Sequence, residues 1–441
     1  MSVLLISTYD LGRQPFGLAS PAAWLRRAGH DVTTIDVSRE KLAADHVSAA
    51  SLIAFYLPMH TATRLALPII DRMRAINPSA AICAYGLYAP LNDALLRERG
   101  VSIVLGPEAE GALVELAAAR SVAAQPPLPR LAFIQPDRST LPTLSRYATL
   151  QMPDGTTKVA GATDATRGCK HRCRHCPIVP VYDGQFRVVP VDVVLADIRA
   201  QVEQGAAHVT FGDPDFFNGP THAKRLVEAL HQEWPSLTYD VTIKVEHLIA
   251  HQDLLPLLAR TGCVFVTSAV ESVDDEVLAK LEKRHTRQDF ITAARLCREV
   301  GLTMAPTFVA FTPWTTIDGY VDLLRTVAEL DLVANVAPVQ WGIRLLVTWQ
   351  SRLLELPEIR AAIGAFDPGT LTYPWRHADA RVDQLQQEVL ALAGTGRDRS
   401  RGDLFERVFA LASSVERHDG RTHAPLLSRS AIPYLNEPWY C

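Results

Sequence analysis

The chain has 441 residues, 48% of them hydrophobic and 21% charged, which is enough apolar content for two or three domains with buried cores. A formal net charge of -4 gives no electrostatic drive toward nucleic acid or an anionic membrane, and neither partner is expected. Met1-Ser2 runs directly into the strand-like Val3-Leu4-Leu5-Ile6 and no uncharged apolar stretch approaches bilayer length, so the protein is expected to be cytoplasmic.

Residues 1–122 alternate short apolar runs with amphipathic helical stretches, the runs being Val3–Ile6, Val32–Ile35, Leu52–Phe55, Ala81–Ala84 and Val101–Leu105. The alternation predicts five parallel strands in a doubly wound, flavodoxin-like domain. Its first helix is read with Ser20 as the amino-terminal cap, Pro21 in the first turn and Gly29 at a left-handed end. His60 follows a strand and is either a pocket residue or a polar group at a helix start, the plainer reading being preferred.

A stretch rich in proline, with Pro126, Pro127, Pro129, Pro136 and Pro142, opposes regular structure and is taken as a linker spanning 123–160. Strand and helix then alternate again over 161–346, with strands expected at His208–Phe211, Tyr239–Val245, Cys263–Val270, Thr303–Phe311 and Val339–Leu346. This pattern predicts a partial (β/α)6 barrel. Residues 347–441 read as a mainly helical carboxy-terminal region around Arg381–Leu392 and Leu404–Ser413, with a polar loop between Gly394 and Asp403. The final Pro433-Tyr-Leu-Asn-Glu-Pro438-Trp-Tyr-Cys441 is rich in turn formers and aromatics and reads as a docked tail.

Seven cysteines are present, and Cys169, Cys173 and Cys176 fall within eight residues in Thr166-Arg-Gly-Cys-Lys-His-Arg-Cys-Arg-His-Cys-Pro177. Clustered thiols in a reducing compartment point to metal rather than disulfides. Three thiolates suit three corners of an iron–sulfur cubane and leave one iron open, and they also suit a zinc site completed by His171, His175 or a distant histidine.

The CxxxCxxC spacing resembles the radical S-adenosylmethionine superfamily, with His175 where that family usually carries an aromatic residue. Two further segments strengthen the resemblance. Gly212-Asp213-Pro214-Asp215 follows a predicted strand at the place of the family's glycine-and-acid motif, which meets the methionyl amino group. Asp213 is the preferred partner there and Asp215 the second. Glu271-Ser272 resembles the Glu-Ser segment that lies near the ribose and methionine. Lys244 and Glu246 share one face if Val241–His247 is a strand, so Lys244 can meet either the cofactor's carboxylate or an acid such as Glu271.

The resemblance implies a 4Fe-4S cluster, S-adenosylmethionine, a flavodoxin- or ferredoxin-type electron donor, and reductive cleavage to a carbon radical that modifies a small-molecule substrate. In the same family an amino-terminal domain of this kind is of the cobalamin-binding type. Here Asp10-Leu-Gly12-Arg-Gln-Pro15 lacks the histidine of the usual ligand motif, so cobalamin would bind without it. A smaller group of these enzymes ends in a Cys–selenocysteine or Cys–Cys pair followed by Ala-Glu-Pro. That likeness makes Cys441 a candidate catalytic thiol and implies a natural chain continuing past it through selenocysteine. Two other outcomes stay open: transfer of the aminocarboxypropyl group to a thiophilic acceptor such as arsenite, and a non-catalytic zinc- or cobalamin-binding sensor.

Overall fold

The computed structural model describes residues 1–118, 128–395, 400–415 and 432–436. In the first part, strands β1 (Ser2–Ser7), β2 (Asp31–Asp36), β3 (Leu52–Tyr56), β4 (Ala81–Tyr85) and β5 (Ile103–Val104) form one parallel sheet in the order β2-β1-β3-β4-β5. That order is the flavodoxin-like winding expected from the alternation. The strands are buried on both faces, which is why they read as unbroken apolar runs.

The first helix begins earlier than its serine suggests. It spans Phe16–Arg27, with Pro15 at its cap and Pro21 inside it, while Gly29 takes the expected positive φ. Pro21 has no N–H to offer the carbonyl of Gly17, and the Tyr85 hydroxyl donates to that carbonyl instead at 2.7 Å. Ser20 is therefore buried mid-helix and hydrogen-bonds Glu110 at 2.7 Å rather than capping the helix.

The stretch read as a linker contributes two strands, β6 (Thr149–Gln151) and β7 (Thr157–Thr163). Next come β8 (Thr166–Gly168), β9 (Phe186–Val188), β10 (His208–Phe211), β11 (Thr238–Thr242), β12 (Cys263–Glu271), β13 (Thr303–Phe308) and, in the tail, β14 (Tyr434–Leu435). The larger sheet runs β13-β12-β11-β10-β7-β6-β14, parallel from β7 to β13 and antiparallel where β6 meets β7 and β14. It curls into a half-barrel with its helices packed against it around the largest core of the molecule.

Two expected strands change character. The run Tyr239–Val245 ends at Thr242; Lys244 caps a helix, Val245–Ala250, and Glu246 lies in its first turn, where a carboxylate favours the helix dipole. Lys244 and Glu246 therefore do not share a strand face. The run Val339–Leu346 becomes a tight turn at Pro338–Gly342, so the sixth barrel position survives only as a parallel bridge between Phe311 and Arg344. Proline at its start removes a ladder donor, and Gly342 packs closely on Leu390 of the helix Ala380–Thr395. That helix and a second, Arg401–Val415, make up the carboxy-terminal helical pair.

A buried arginine ties the two sheets together. Arg138 makes a two-pronged contact with Asp197 at 2.7 and 2.9 Å, and donates to the Ala162 carbonyl of β7 at 2.7 Å and to Gln14 of the amino-terminal domain at 2.9 Å. Removing one partner of a buried pair leaves an uncompensated charge. Arg138→Ala is expected to destabilise the protein by about 3–5 kcal/mol. Denaturant unfolding followed by circular dichroism measures it, and an unchanged midpoint would contradict the tie.

Candidate functional site

The cysteine loop starts where β8 ends. Gly168 has φ +79, and a Cβ there would lie 2.4 Å from Tyr182 Cδ1, so the position admits glycine alone without rearrangement. Asn218 then clamps the loop, donating to the Gly168 carbonyl and accepting from the Lys170 N–H, both at 3.2 Å. Further on, the Arg174 N–H bonds the Leu281 carbonyl at 3.0 Å and its guanidinium pairs with Glu282 at 2.7 Å.

Arg167, two residues before Cys169, is held in a buried pocket of the amino-terminal domain. Its guanidinium lies 3.0 Å from Glu108 and 2.8 Å from Glu110, with Ser20 at 3.2 Å and the rings of Phe16 and Phe133 at 5.1 and 5.0 Å. Tyr182 donates to Glu108 at 2.8 Å. Burial raises the pKa of Glu108, and Arg167 opposes that rise.

Cys169 and Cys173 are buried and Cys176 is partly so; all three are free thiols. Burial pushes the thiol of Cys169 up to about 11 and that of Cys176 to about 12. Among the described residues, the single trio of His, Cys, Asp or Glu ligand atoms found within 4.8 Å of one another is His171, Asp215 and His247.

Glu271 sits at the end of β12 with φ +68, a left-handed conformation rare outside glycine, at a register shift against β13. Its Oε1 receives Lys283 Nζ at 3.2 Å and faces His175 Nε2 at 3.1 Å. Burial would raise this carboxyl, yet Lys283 and His175 hold it well below the usual carboxylate range. Glu271 and His175 of the CxxxCxxC segment are therefore neighbours, and Lys283, not Lys244, is the basic partner. Ser272 accepts from the Asp274 N–H at 3.1 Å and so shapes the turn into the next helix.

Gly212 lies against Asp164: a Cβ there would fall 2.4 Å from Asp164 Oδ1 and 3.4 Å from Arg13 Nη1 of the amino-terminal domain. Both oxygens of Asp213 are engaged, one by the Ala165 N–H at 2.9 Å and one by the Thr166 hydroxyl at 2.5 Å. Burial, reinforced by Asp164, raises its pKa to about 7. This carboxylate braces β8, which carries the cysteine loop. Asp215 lies 2.7 Å from His247 Nδ1 and 3.3 Å from His171 Nε2; burial would raise its pKa, but the two histidines bring it down to about 2. Lys244 Nζ rests 3.3 Å from Glu246.

Two further side chains are engaged elsewhere in the fold. His60 begins a helix and its Nε2 is 2.6 Å from the Thr370 carbonyl, and Arg344 pairs with Asp383 at 2.7 Å while stacking on Trp375. Cys441 lies outside the described residues, although β14 pairs antiparallel with β6 and so docks the tail up to Asn436. Sequence reasoning missed Asn218, the Arg138–Asp197 tie and the placement of His247. An asparagine just past the glycine-and-acid motif was the one available signal.

Residues 164–318 match the sequence model of the Radical SAM superfamily. Over these residues, which carry the cysteine loop and strands β8 to β13, the chain is similar to that superfamily. It is 25% identical over 338 residues to hopanoid C-3 methylase of Methylococcus capsulatus, an alignment covering 71% of this chain and 64% of that protein. The chain thus spans less than two thirds of that relative. Among solved structures it resembles the cobalamin-dependent S-adenosylmethionine radical enzyme OxsB with aqua-cobalamin bound (TM-score 0.69, 14% identity, 94% of this chain and 71% of that one). It also resembles the radical S-adenosylmethionine methyltransferase TsrM of Kitasatospora setae with cobalamin and a [4Fe-4S] cluster bound (TM-score 0.66, 16% identity, 94% and 89%). The two structures share this chain's fold across both sheets. Among the described residues, no helix is long and apolar enough to cross a membrane.

His285, beside Lys283, gives the surroundings of Glu271 a pH signature. It is buried, its Nε2 lies 3.2 Å from the Val270 carbonyl, and burial together with Lys283 lowers its pKa to about 4. Below pH 6.5 the unfolded chain binds this proton and the folded one resists it, so stability falls as pH drops from about 6.5 to 4, by up to about 3 kcal/mol. Unfolding at several pH values should show a shallower acid loss in His285→Gln than in the wild-type chain. Equal slopes would contradict the assignment.

Proposed function

We propose that the protein is a cobalamin-dependent radical SAM enzyme that modifies, by methyl transfer, an unidentified small molecule. The carrying observation is the cysteine loop locked by Arg167 onto a flavodoxin-like domain whose β1 loop meets the barrel at Gly212. Ligands of doubly wound domains bind at the carboxyl ends of the strands. That edge here carries buried polar atoms without a hydrogen-bond partner, Ser7 Oγ and Arg13 Nε, which suit a polar ligand. The names of the hopanoid methylase, OxsB and TsrM support the same reading.

A cluster held by Cys169, Cys173 and Cys176 would supply the electron for reductive carbon–sulfur cleavage of S-adenosylmethionine, and cobalamin would supply a methyl carrier. The chain's own residues bind, orient and shield. Cys169, Cys173 and Cys176 hold the cluster. Carbonyls around Gly212 receive the ammonium, with Asp213 fixing the backbone that presents them. Glu271, kept ionised by Lys283, accepts from the ribose hydroxyls, and Ser272 shapes the turn beside it. The His175 ring packs on adenine, and Lys244 meets the carboxylate. With no histidine two residues after Asp10 and His60 Nε2 held by the Thr370 carbonyl, cobalamin is held without an imidazole from the usual motif. A flavodoxin- or ferredoxin-type protein supplies electrons.

The test is anaerobic reconstitution with iron, sulfide and cobalamin, then incubation with S-adenosylmethionine and dithionite. The expected products are 5′-deoxyadenosine and S-adenosylhomocysteine, with cobalamin retained through gel filtration. Cys173→Ala should lower both products at least a hundredfold. Methylthioadenosine in their place would overturn methyl transfer in favour of the aminocarboxypropyl route, and no cleavage at all would overturn the radical assignment of the loop.

A further inference from the structure

Beside the cysteine loop, three side chains from separate elements converge on one point. His171 comes from the loop between Cys169 and Cys173, Asp215 from the turn after β10, and His247 from the helix Val245–Ala250. Their ligand atoms lie within 4.8 Å of one another, and the side chains are 6%, 0% and 5% exposed. The plain explanation is a carboxylate shared between two histidines by hydrogen bonds. Such bonds need a ring N–H aimed at the oxygen. Asp215 Oδ2 has His247 Nδ1 at 2.7 Å and His171 Nε2 at 3.3 Å, in reach for charge attraction. None of the three atoms nevertheless has a partner with hydrogen-bond geometry. Buried polar groups left this way are costly.

The surroundings match those of a metal ligand set. Ligating carboxylates are themselves hydrogen-bonded and ligating histidines present their other nitrogen to an acid. Asp215 Oδ1 accepts from the Phe217 N–H at 3.1 Å, and Glu246 Oε2 stands 3.6 Å from His171 Nδ1. Lys244, an ammonium nearby, is countered by Glu246 at 3.3 Å.

We propose that His171, Asp215 and His247 form a mononuclear site for a divalent transition-metal ion, distinct from the cysteine cluster. Two imidazoles and one carboxylate suit zinc or ferrous iron and leave further positions open. The ion pins the segment between Cys169 and Cys173 to the strand end at Asp215 and to the helix of His247. This assignment makes Asp215 a metal ligand rather than a partner of the methionyl ammonium. It does not depend on which radical reaction the enzyme performs.

Zinc is the probe, because a site that accepts ferrous iron binds zinc more tightly. The chain is loaded with its cluster so that the thiolates are occupied, incubated anaerobically with zinc and desalted. The expected result is one zinc retained per chain in addition to the cluster iron. Its X-ray absorption should show nitrogen and oxygen neighbours near 2.0–2.1 Å and no sulfur near 2.3 Å. Asp215→Asn and His247→Ala should each reduce retained zinc at least tenfold while iron content holds. No retained zinc, a sulfur shell, or variants that retain zinc like the wild type would overturn the site. Should a variant lose its iron as well, the absorption spectrum of the wild-type chain decides alone.

Discussion

Everything at the centre of this protein depends on how one guanidinium is buried. Arg167 is taken out of water between Glu108 and Glu110, and two aromatic rings close over it. Desolvating three charges is repaid only by near-ideal geometry and additional hydrogen bonds, here from Ser20 and Tyr182. Because Arg167 belongs to β8, satisfying it fixes where Gly168 and Cys169 begin. The orientation of the cysteine loop is thus decided by the neighbouring domain.

The same logic extends around the loop. Asp213 holds β8 from the barrel side through Ala165 and Thr166, Asn218 holds the loop's first turn, and Glu282 holds Arg174 near its end. Glu271 tolerates a left-handed backbone because Lys283 and His175 fix its carboxylate on the far side. Strain of this kind persists where the surroundings over-determine the residue, and such places are commonly functional.

The strands of both sheets were legible because buried parallel strands appear as short apolar runs between helical periods. The cysteine spacing and the two following motifs picked out the cysteine loop and segments that the fold places beside it. Lys244 was misplaced since the apolar alternation continues through Ile243 while the strand pairing stops at Thr242. The stretch before Ala160 looked like a linker because its prolines dominate the composition, yet Thr149–Gln151 needs only three residues to pair with β7. Asp213 was read as facing a ligand, and its oxygens are taken by the Ala165 N–H and the Thr166 hydroxyl. His171, Asp215 and His247 come from three elements, so no spacing in the sequence could have joined them.

The helix Phe16–Arg27 shows how a defect can be shared between distant positions. Pro21 strips the Gly17 carbonyl of its usual donor, and Tyr85, on another strand, supplies one. Neither residue is optimal alone: the proline needs the hydroxyl, and the hydroxyl needs the vacant acceptor. Homologues should therefore exchange the two together, so a phenylalanine at position 85 would be accompanied by a residue with an amide hydrogen at position 21. The pair is a place where evolutionary history, rather than folding energy alone, decides which single changes are permitted.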